Sequence, residues 1–217
     1  MSTVKLEPDS IIKVGKIICV GQNYRKHIVE LDSVKSKTPL LFMKPSTAIL
    51  PEGRAINLPR FSQEVHHEVE LALLIGKNAK NISSKKWKNY VNGVGVALDL
   101  TLRDLQKEAK RYGHPWTISK GFDGSCPLST FIPIESVKDV QDLKIQLYIN
   151  NNLRQEGSTK DMIWPVGELL AFITKIFTLE YGDIVLTGTP DGVGKLNSGD
   201  RVNASISEIG SMQFVVK

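Results

Sequence analysis

The sequence predicts an α+β fold with a strand-rich core, on three observations. Short apolar or alternating runs recur over the 217 residues. Turn-forming clusters such as "EGR", "NNN", "EYGD" and "NSGD" separate them. Helical patterns are few and do not alternate regularly with the strands, as a doubly wound sheet would require.

Along the chain, residues 16–20 and 40–43 read as strands, followed by 69–75, a nearly unbroken apolar run. Ser83 ahead of "SKKWKNYVNG" resembles a capped helix, and residues 100–111 have helical spacing. A strand is expected over 144–149. A helix follows over 165–176, with Pro165 near its start and apolar residues at Leu169, Leu170, Phe172, Ile173 and Ile176. The last strands are 184–187, 201–206 and 212–216. Neither a linker nor a repeat breaks this order, so residues 1–217 are expected to form a single catalytic domain, with 1–14 as a short lead-in.

Composition excludes several function classes. Hydrophobic residues make up 41% and charged residues 24%, as in ordinary globular proteins. The net charge of +5 raises the question of nucleic acid. The densest basic stretches, 77–88 and 107–111, are interrupted by Asn, Ser, Glu or Ala and read as solvated faces, so no nucleic-acid partner is expected. A mildly positive protein also suits a small anionic substrate. Cys19 lies in a buried-looking strand and Cys126 in a loop before Pro127. Two cysteines without CxxC spacing argue against zinc and fit a reducing compartment. No run approaches a membrane span, and "MSTVKLEPDS" has no apolar signal core. The expected location is cytoplasmic, or the mitochondrial matrix if the source is eukaryotic and a transit peptide is absent from this chain.

The chemistry concentrates in "FSQEVHHEVELALLIGK", residues 61–77. On a strand, Glu68 and Glu70 project to one face at the mouth of an apolar run. Two like charges there call for a cation. Asp99, in "VGVALDLTLRD", ends a second apolar run. Three carboxylates from two apolar segments suit a hard, oxygen-liganded ion such as Mg²⁺ or Mn²⁺. The plainer alternative is that they are salt-bridged acids. One of His66 and His67 must share the glutamate face; a role holding a carboxylate in place is open to either, and neither is assigned as a ligand.

Other motifs surround this group. In "CVGQNYRKHIVE", His27 and Glu30 stand at i, i+3 on a short helical turn, as in a dyad that deprotonates water or as in a surface ion pair. "VGQNY" ahead of them reads as a strand end and turn, which would leave the dyad on a mobile, lid-like segment. Arg103 and Gln106 repeat that spacing on the helix after Asp99, where they can hold a carboxylate. Lys120 can place a cation beside the acids. "VLTGTPDGVG" is a strand running into a glycine-rich turn whose hydroxyls and N–H groups can receive an anion, without the lysine or spacing of a nucleotide loop.

Together, "VGQNYRKHIVE", "LLFMKPSTAI", "HHEVELALLIGK", "VALDLTLRDLQ", "SKGFDGSCPLS", "MIWPVGELLAFIT" and "GDIVLTGTPDGVG" resemble the fumarylacetoacetate hydrolase family, in order from about Gly15 to near the C-terminus. The short acylpyruvase and oxaloacetate decarboxylase members are the most similar. The resemblance implies a mixed β-sandwich roll with a few peripheral helices, assembled as a homodimer. It implies Mg²⁺, with Mn²⁺ as alternative, on Glu68, Glu70 and Asp99, with His27 and Glu30 as a lid dyad. Lys120 takes the place of a lysine near the metal, Arg103 and Gln106 that of a substrate-contacting pair, and Thr189 that of a threonine at the substrate carboxylate. Some larger relatives carry an additional acidic ligand before the tyrosine of the first motif; "CVGQNY" has none. The implied activity is cleavage of acylpyruvates or decarboxylation of oxaloacetate through a pyruvate enolate. Oxaloacetate tautomerisation and isomerisation of unsaturated oxo-acids are alternatives, and a non-catalytic metal-binding protein is a third class.

Overall fold

The computed structural model describes residues 2–32 and 36–217. In chain order its strands are β1 (Thr3–Leu6), β2 (Ser10–Lys13), β3 (Ile17–Gly21), β4 (Leu40–Lys44), β5 (Ile49–Pro51), β6 (Val65–His67), β7 (Val69–Ile75), β8 (Val91–Leu98) and β9 (Thr101–Leu102). They continue with β10 (Cys126–Leu128), β11 (Ile132–Pro133), β12 (Lys144–Ile149), β13 (Asn152–Ser158), β14 (Ile184–Leu186), β15 (Gly194–Lys195), β16 (Arg201–Ile206) and β17 (Gly210–Val215). The α-helices are α1 (Arg25–Glu30), α2 (Arg103–Tyr112), α3 (Thr117–Lys120) and α4 (Val166–Ile176).

Among the described residues, the main sheet has eight strands in the order β4-β3-β14-β7-β8-β10-β5, with β11 beside β8. Pairing is mixed: β14 runs parallel to β3 and antiparallel to β7. A second sheet, β13-β12-β16-β17, is antiparallel. This is the strand-rich α+β class that the sequence predicts, with helices at the periphery.

Strand β7 shows how the sheet positions a site. All seven of its residues are buried, which explains a continuous apolar run where one-sided burial would give alternation. Val69, Leu71, Leu73 and Ile75 pack into the larger core with β12, β16 and α4. Ala72 and Leu74 face a smaller core containing Cys19, Ala97, Cys126 and Phe131. Glu70 shares that second face, at its end. Burying each large apolar side chain is worth roughly 1.5–3 kcal/mol, enough for one strand to carry a carboxylate whose burial costs several kcal/mol.

Three local expectations need correction. Residues 84–90 after Ser83 form a 3₁₀ run, not an α-helix, although Ser83 Oγ accepts from the Lys85 N–H at 3.3 Å as a cap. Asn89 and the aromatic residues there are weak helix formers, and β8 begins at Val91. The helix expected from Leu100 starts at Arg103, because Thr101 and Leu102 pair with His66 and Val65 as β9. Cys126 is not in a loop: it opens β10, where it pairs with Ile49, and Pro127 sits beside Leu50. No helix of the described residues is long and apolar enough to cross a membrane.

Candidate active site

The antiparallel register of β7 and β8 pairs Val69 with Leu98 and Glu70 with Ala97. One step beyond, Asp99 N–H donates to the Glu68 carbonyl at 2.8 Å, so the two apolar segments end side by side. Glu68, Glu70 and Asp99 are 4%, 1% and 1% exposed. Their nearest carboxylate oxygens lie within 4.8 Å of one another, a group that can hold a metal ion.

Three cations are packed against this trio. Lys120 Nζ lies 2.9 Å from Glu68 Oε2, also bonds Asp99 Oδ2, and donates to Thr101 Oγ1 at 2.6 Å. Arg103 bonds the other Glu68 oxygen and donates to Gln106 Oε1 at 2.6 Å. Lys44, 1% exposed, donates to the Leu100 and Lys120 carbonyls and to Ser125 Oγ. Its ammonium lies 2.8 Å from Asp99 Oδ1, out of hydrogen-bonding alignment, so that oxygen has no hydrogen bond. The salt-bridged alternative therefore describes part of the cluster.

It does not describe Glu70. Among the described residues Glu70 has no ion pair; its Oε2 accepts the Gly188 N–H at 2.6 Å. One such bond is worth roughly 1.5–3 kcal/mol, less than the cost of a fully buried charge. Burial, and then the negative charges of Asp99 and Glu68, push its carboxyl well above the ordinary value. Burial would raise Glu68 too, but Lys120 and Arg103 outweigh it and hold that carboxyl well below. Burial opposes the Lys120 ammonium, and Asp99 and Glu68 overcome it and raise its pKa. A hard divalent cation fits this donor set: all oxygen, with one carboxylate uncompensated and one oxygen lacking a hydrogen bond.

The dyad forms on α1. His27 is 5% exposed and its side chain is buried, while Glu30 keeps part of its side chain at the surface, so the pair is half-buried. Its Nδ1 lies 3.0 Å from Glu30 Oε2, and Glu30 Oε1 accepts the Gly192 N–H at 2.9 Å. Burial pushes the Glu30 carboxyl up, but the His27 and Gly192 hydrogen bonds prevail and hold it below its ordinary value. The chain enters α1 through buried Asn23, which donates to the Thr187 carbonyl at 2.8 Å and accepts from Trp164 N–H at 2.8 Å.

The glycine-rich turn departs from expectation. Its N–H groups receive this chain's own acids, Glu70 at Gly188 and Glu30 at Gly192, instead of lying free for a substrate. Both glycines have positive φ, +97° and +93°. A Cβ would lie 2.7 Å from Asn23 Cβ at Gly188 and 2.0 Å from the Arg154 carbonyl at Gly192, so only glycine brings these amides close enough.

One cleft is lined by His27, Arg103, Gln106, Lys120, Thr189, Glu68, Glu70 and Asp99. Eight of the nine site residues expected from sequence thus share one cavity, and Glu30 reaches it through His27. Phe42 and Trp116 add an aromatic wall, with Lys120 Nζ 4.8 Å from the Phe42 ring centre, and Lys110 adds a cation at the mouth. The histidines "HH" do not touch the trio. His66 Nε2 is 3.3 Å from Glu64, and His67 Nδ1 is 2.9 Å from Gln155 Oε1, an amide and not a carboxylate. Sequence reasoning missed Lys44 and Gln155. The signal for Lys44 was a lysine ending the apolar strand of "LLFMKP"; Gln155 lies in a polar run that carries none.

The family model described as fumarylacetoacetate (FAA) hydrolase, C-terminal, matches residues 16–217. The chain is 45% identical over 201 residues to a bovine protein named oxaloacetate tautomerase FAHD1, mitochondrial, covering 93% of this chain and 91% of that one. It is 48% identical over 193 residues to oxaloacetate tautomerase YcgM of Escherichia coli, covering 88% of each. A crystal structure of fumarylpyruvate hydrolase from Pseudomonas aeruginosa, in complex with Mn²⁺ and pyruvate, superposes with a TM-score of 0.94 at 32% identity, over 99% of this chain and 94% of that one. Sequence, fold and the buried acidic trio agree: the chain belongs to the fumarylacetoacetate hydrolase family.

Proposed function

We propose that this protein is an enzyme of small 2-oxo acids that interconverts the keto and enol forms of oxaloacetate, with Mg²⁺ or Mn²⁺ held by Glu68, Glu70 and Asp99. The observation that carries this reading is a proton-transfer dyad opening on the same cavity as three buried carboxylates and a cationic wall. Identity of 43% to 48% with proteins named oxaloacetate tautomerase supports this reaction over the C–C cleavage and decarboxylation that the sequence favours first.

When bound, the ion would draw electron density from the C2 carbonyl and acidify the hydrogens at C3. The Thr189 hydroxyl meets the carboxylate next to the C2 carbonyl, and Arg103, steered by Gln106, binds the distal carboxylate with its remaining N–H groups. His27 takes a proton from C3 as the C2–C3 double bond forms and, as imidazolium, passes it to the C2 oxygen; the reverse regenerates the keto form. Glu30 holds the His27 ring and stabilises its protonated state. Lys120, kept charged by Asp99 and Glu68, stabilises negative charge on the enol oxygen. No bond between heavy atoms breaks, so no water is consumed.

A second reading is hydrolytic cleavage of acylpyruvates. The His27–Glu30 dyad suits deprotonation of a water, and the fumarylpyruvate hydrolase shares the fold at a TM-score of 0.94. The test compares metal-stripped protein with Mg²⁺- and Mn²⁺-loaded protein on oxaloacetate, following the enol by ultraviolet absorbance, and on acetylpyruvate, following pyruvate release. Metal-dependent loss of enol without pyruvate release is expected. Background rates on both substrates would overturn the enzyme reading; cleavage of acetylpyruvate alone would favour the hydrolase.

A further inference from the structure

Gln155 is wholly buried on β13, a strand whose other residues are exposed or half-exposed. Its Oε1 accepts the Val69 N–H at 3.1 Å and faces His67 Nδ1 at 2.9 Å. Its Nε2 donates to Thr189 Oγ1 at 2.8 Å and to the Pro190 carbonyl at 2.9 Å. Two of these four partners have a fixed polarity. A backbone N–H can only donate and a carbonyl can only accept, so the amide oxygen must face Val69 and the amide nitrogen must face Pro190.

The other two partners then have no choice. His67 faces an acceptor and has to carry a proton on Nδ1. Thr189 faces a donor and has to accept, which leaves its own O–H to donate elsewhere. Thr189 lines the cleft and is 3% exposed, and no group among the described residues accepts its O–H. Val69, gripped by the same amide, lies between Glu68 and Glu70.

We propose that Gln155 is a positioning residue: anchored on the backbone between Glu68 and Glu70, it fixes Thr189 as a hydrogen-bond donor toward the substrate carboxylate. This rests on the 2-oxo acid reading above. It gives a buried glutamine on a remote strand control over substrate affinity, without contact with the substrate.

The test is a double-mutant cycle read by pyruvate binding to Mn²⁺-loaded protein in calorimetry, and by KM and kcat on oxaloacetate. Gln155→Glu keeps the shape and the acceptor for Val69, and at alkaline pH, where its buried carboxyl ionises, it cannot donate to Thr189 and instead draws the Thr189 O–H to itself; Gln155→Met removes the donor at any pH. Thr189→Val removes the hydroxyl. A hydrogen bond to a charged group is worth roughly 1.5–3 kcal/mol, so each variant should weaken pyruvate roughly 10- to 100-fold and raise KM more than it lowers kcat. Thr189→Ser should restore affinity. The double variant should bind no more weakly than Thr189→Val alone; additive losses would overturn the proposal. Gln155→Met, which carries no charge, repeats the cycle if Gln155→Glu unfolds. Nitrogen NMR of histidine-labelled wild type needs no variant: a proton on His67 Nδ1 is expected, and a neutral ring protonated at Nε2 instead would also overturn the assignment. Failure of wild type to bind pyruvate or turn over oxaloacetate sinks the substrate reading and this proposal with it. Additivity with wild type active sinks this proposal alone.

Discussion

The floor of the cleft and its dyad wall are built differently. The floor, Glu68, Glu70 and Asp99, stands at the ends of β7 and the neighbouring β8, where the β7–β8 register and a backbone hydrogen bond fix the carboxylates. The wall, His27 and Glu30, rides on a six-residue helix held by Asn23 at its entry and by the Gly192 N–H at its exit. Charge in the floor is concentrated and incompletely neutralised, and it sits at the end of β7, a strand paired on both sides, by β8 and β14. In the proposed reaction the wall moves one proton and needs only a ring held at the right angle. The two regions should therefore respond to substitution in opposite ways.

The sharpest break in that comparison is Glu70→Gln. It should abolish Mn²⁺ binding in calorimetry and lower turnover roughly a thousandfold or more, yet raise the melting temperature of the metal-free protein. The sign follows from a folded pKa raised above the unfolded value. Such a carboxyl opposes folding once the pH exceeds its unfolded value, and increasingly so up to its folded value. The gain should be larger at pH 8 than at pH 5, and no gain at either pH would mean that Glu70 is not an uncompensated charge.

Lys44→Met should do the reverse and cost roughly 3 kcal/mol in urea unfolding, because it removes the buried ion pair with Asp99 and strands the Leu100 and Lys120 carbonyls. His27→Ala should leave metal binding and stability nearly unchanged and lower kcat about a hundredfold; loss of metal binding as well would merge wall and floor. Glu30→Gln should cost less, about tenfold in kcat, measured by the same enol assay. Least visible is the shielding beneath the floor. Burial pushes the Cys126 thiol up to about 12, which leaves about one thiolate in ten thousand at pH 8. Cys19 and Cys126 are both 0% exposed, so a thiol reagent should label neither in the native protein and both after unfolding.

The floor was more legible than its surroundings. Glu68 and Glu70 announce themselves by alternate spacing ahead of an apolar run, and Asp99 by ending a second one. His27 with Glu30, and Arg103 with Gln106, show the i, i+3 spacing of one helical turn. Lys44 did not declare its role, because its partners lie 56, 76 and 81 residues away. Gln155 was invisible for the same reason: "NNLRQEGS" has no apolar pattern and was not read as a strand, and only packing against β7 and the glycine turn buries one residue of β13. The turn itself was recognised, while the destination of its N–H groups was not.

The sequence by itself determined the class of fold and the side chains that face together over one or two turns of backbone, because those depend on periodicities of two and 3.6 residues; the family was legible only in the order and wording of its motifs. Only the tertiary structure decided which cation answers which carboxylate, that Glu70 is left without one, and that a glutamine reaches from β13 to Thr189. Those outcomes depend on strand register and burial across distant segments, and electrostatic cost is set by the surroundings a charge finally has, which no local pattern encodes.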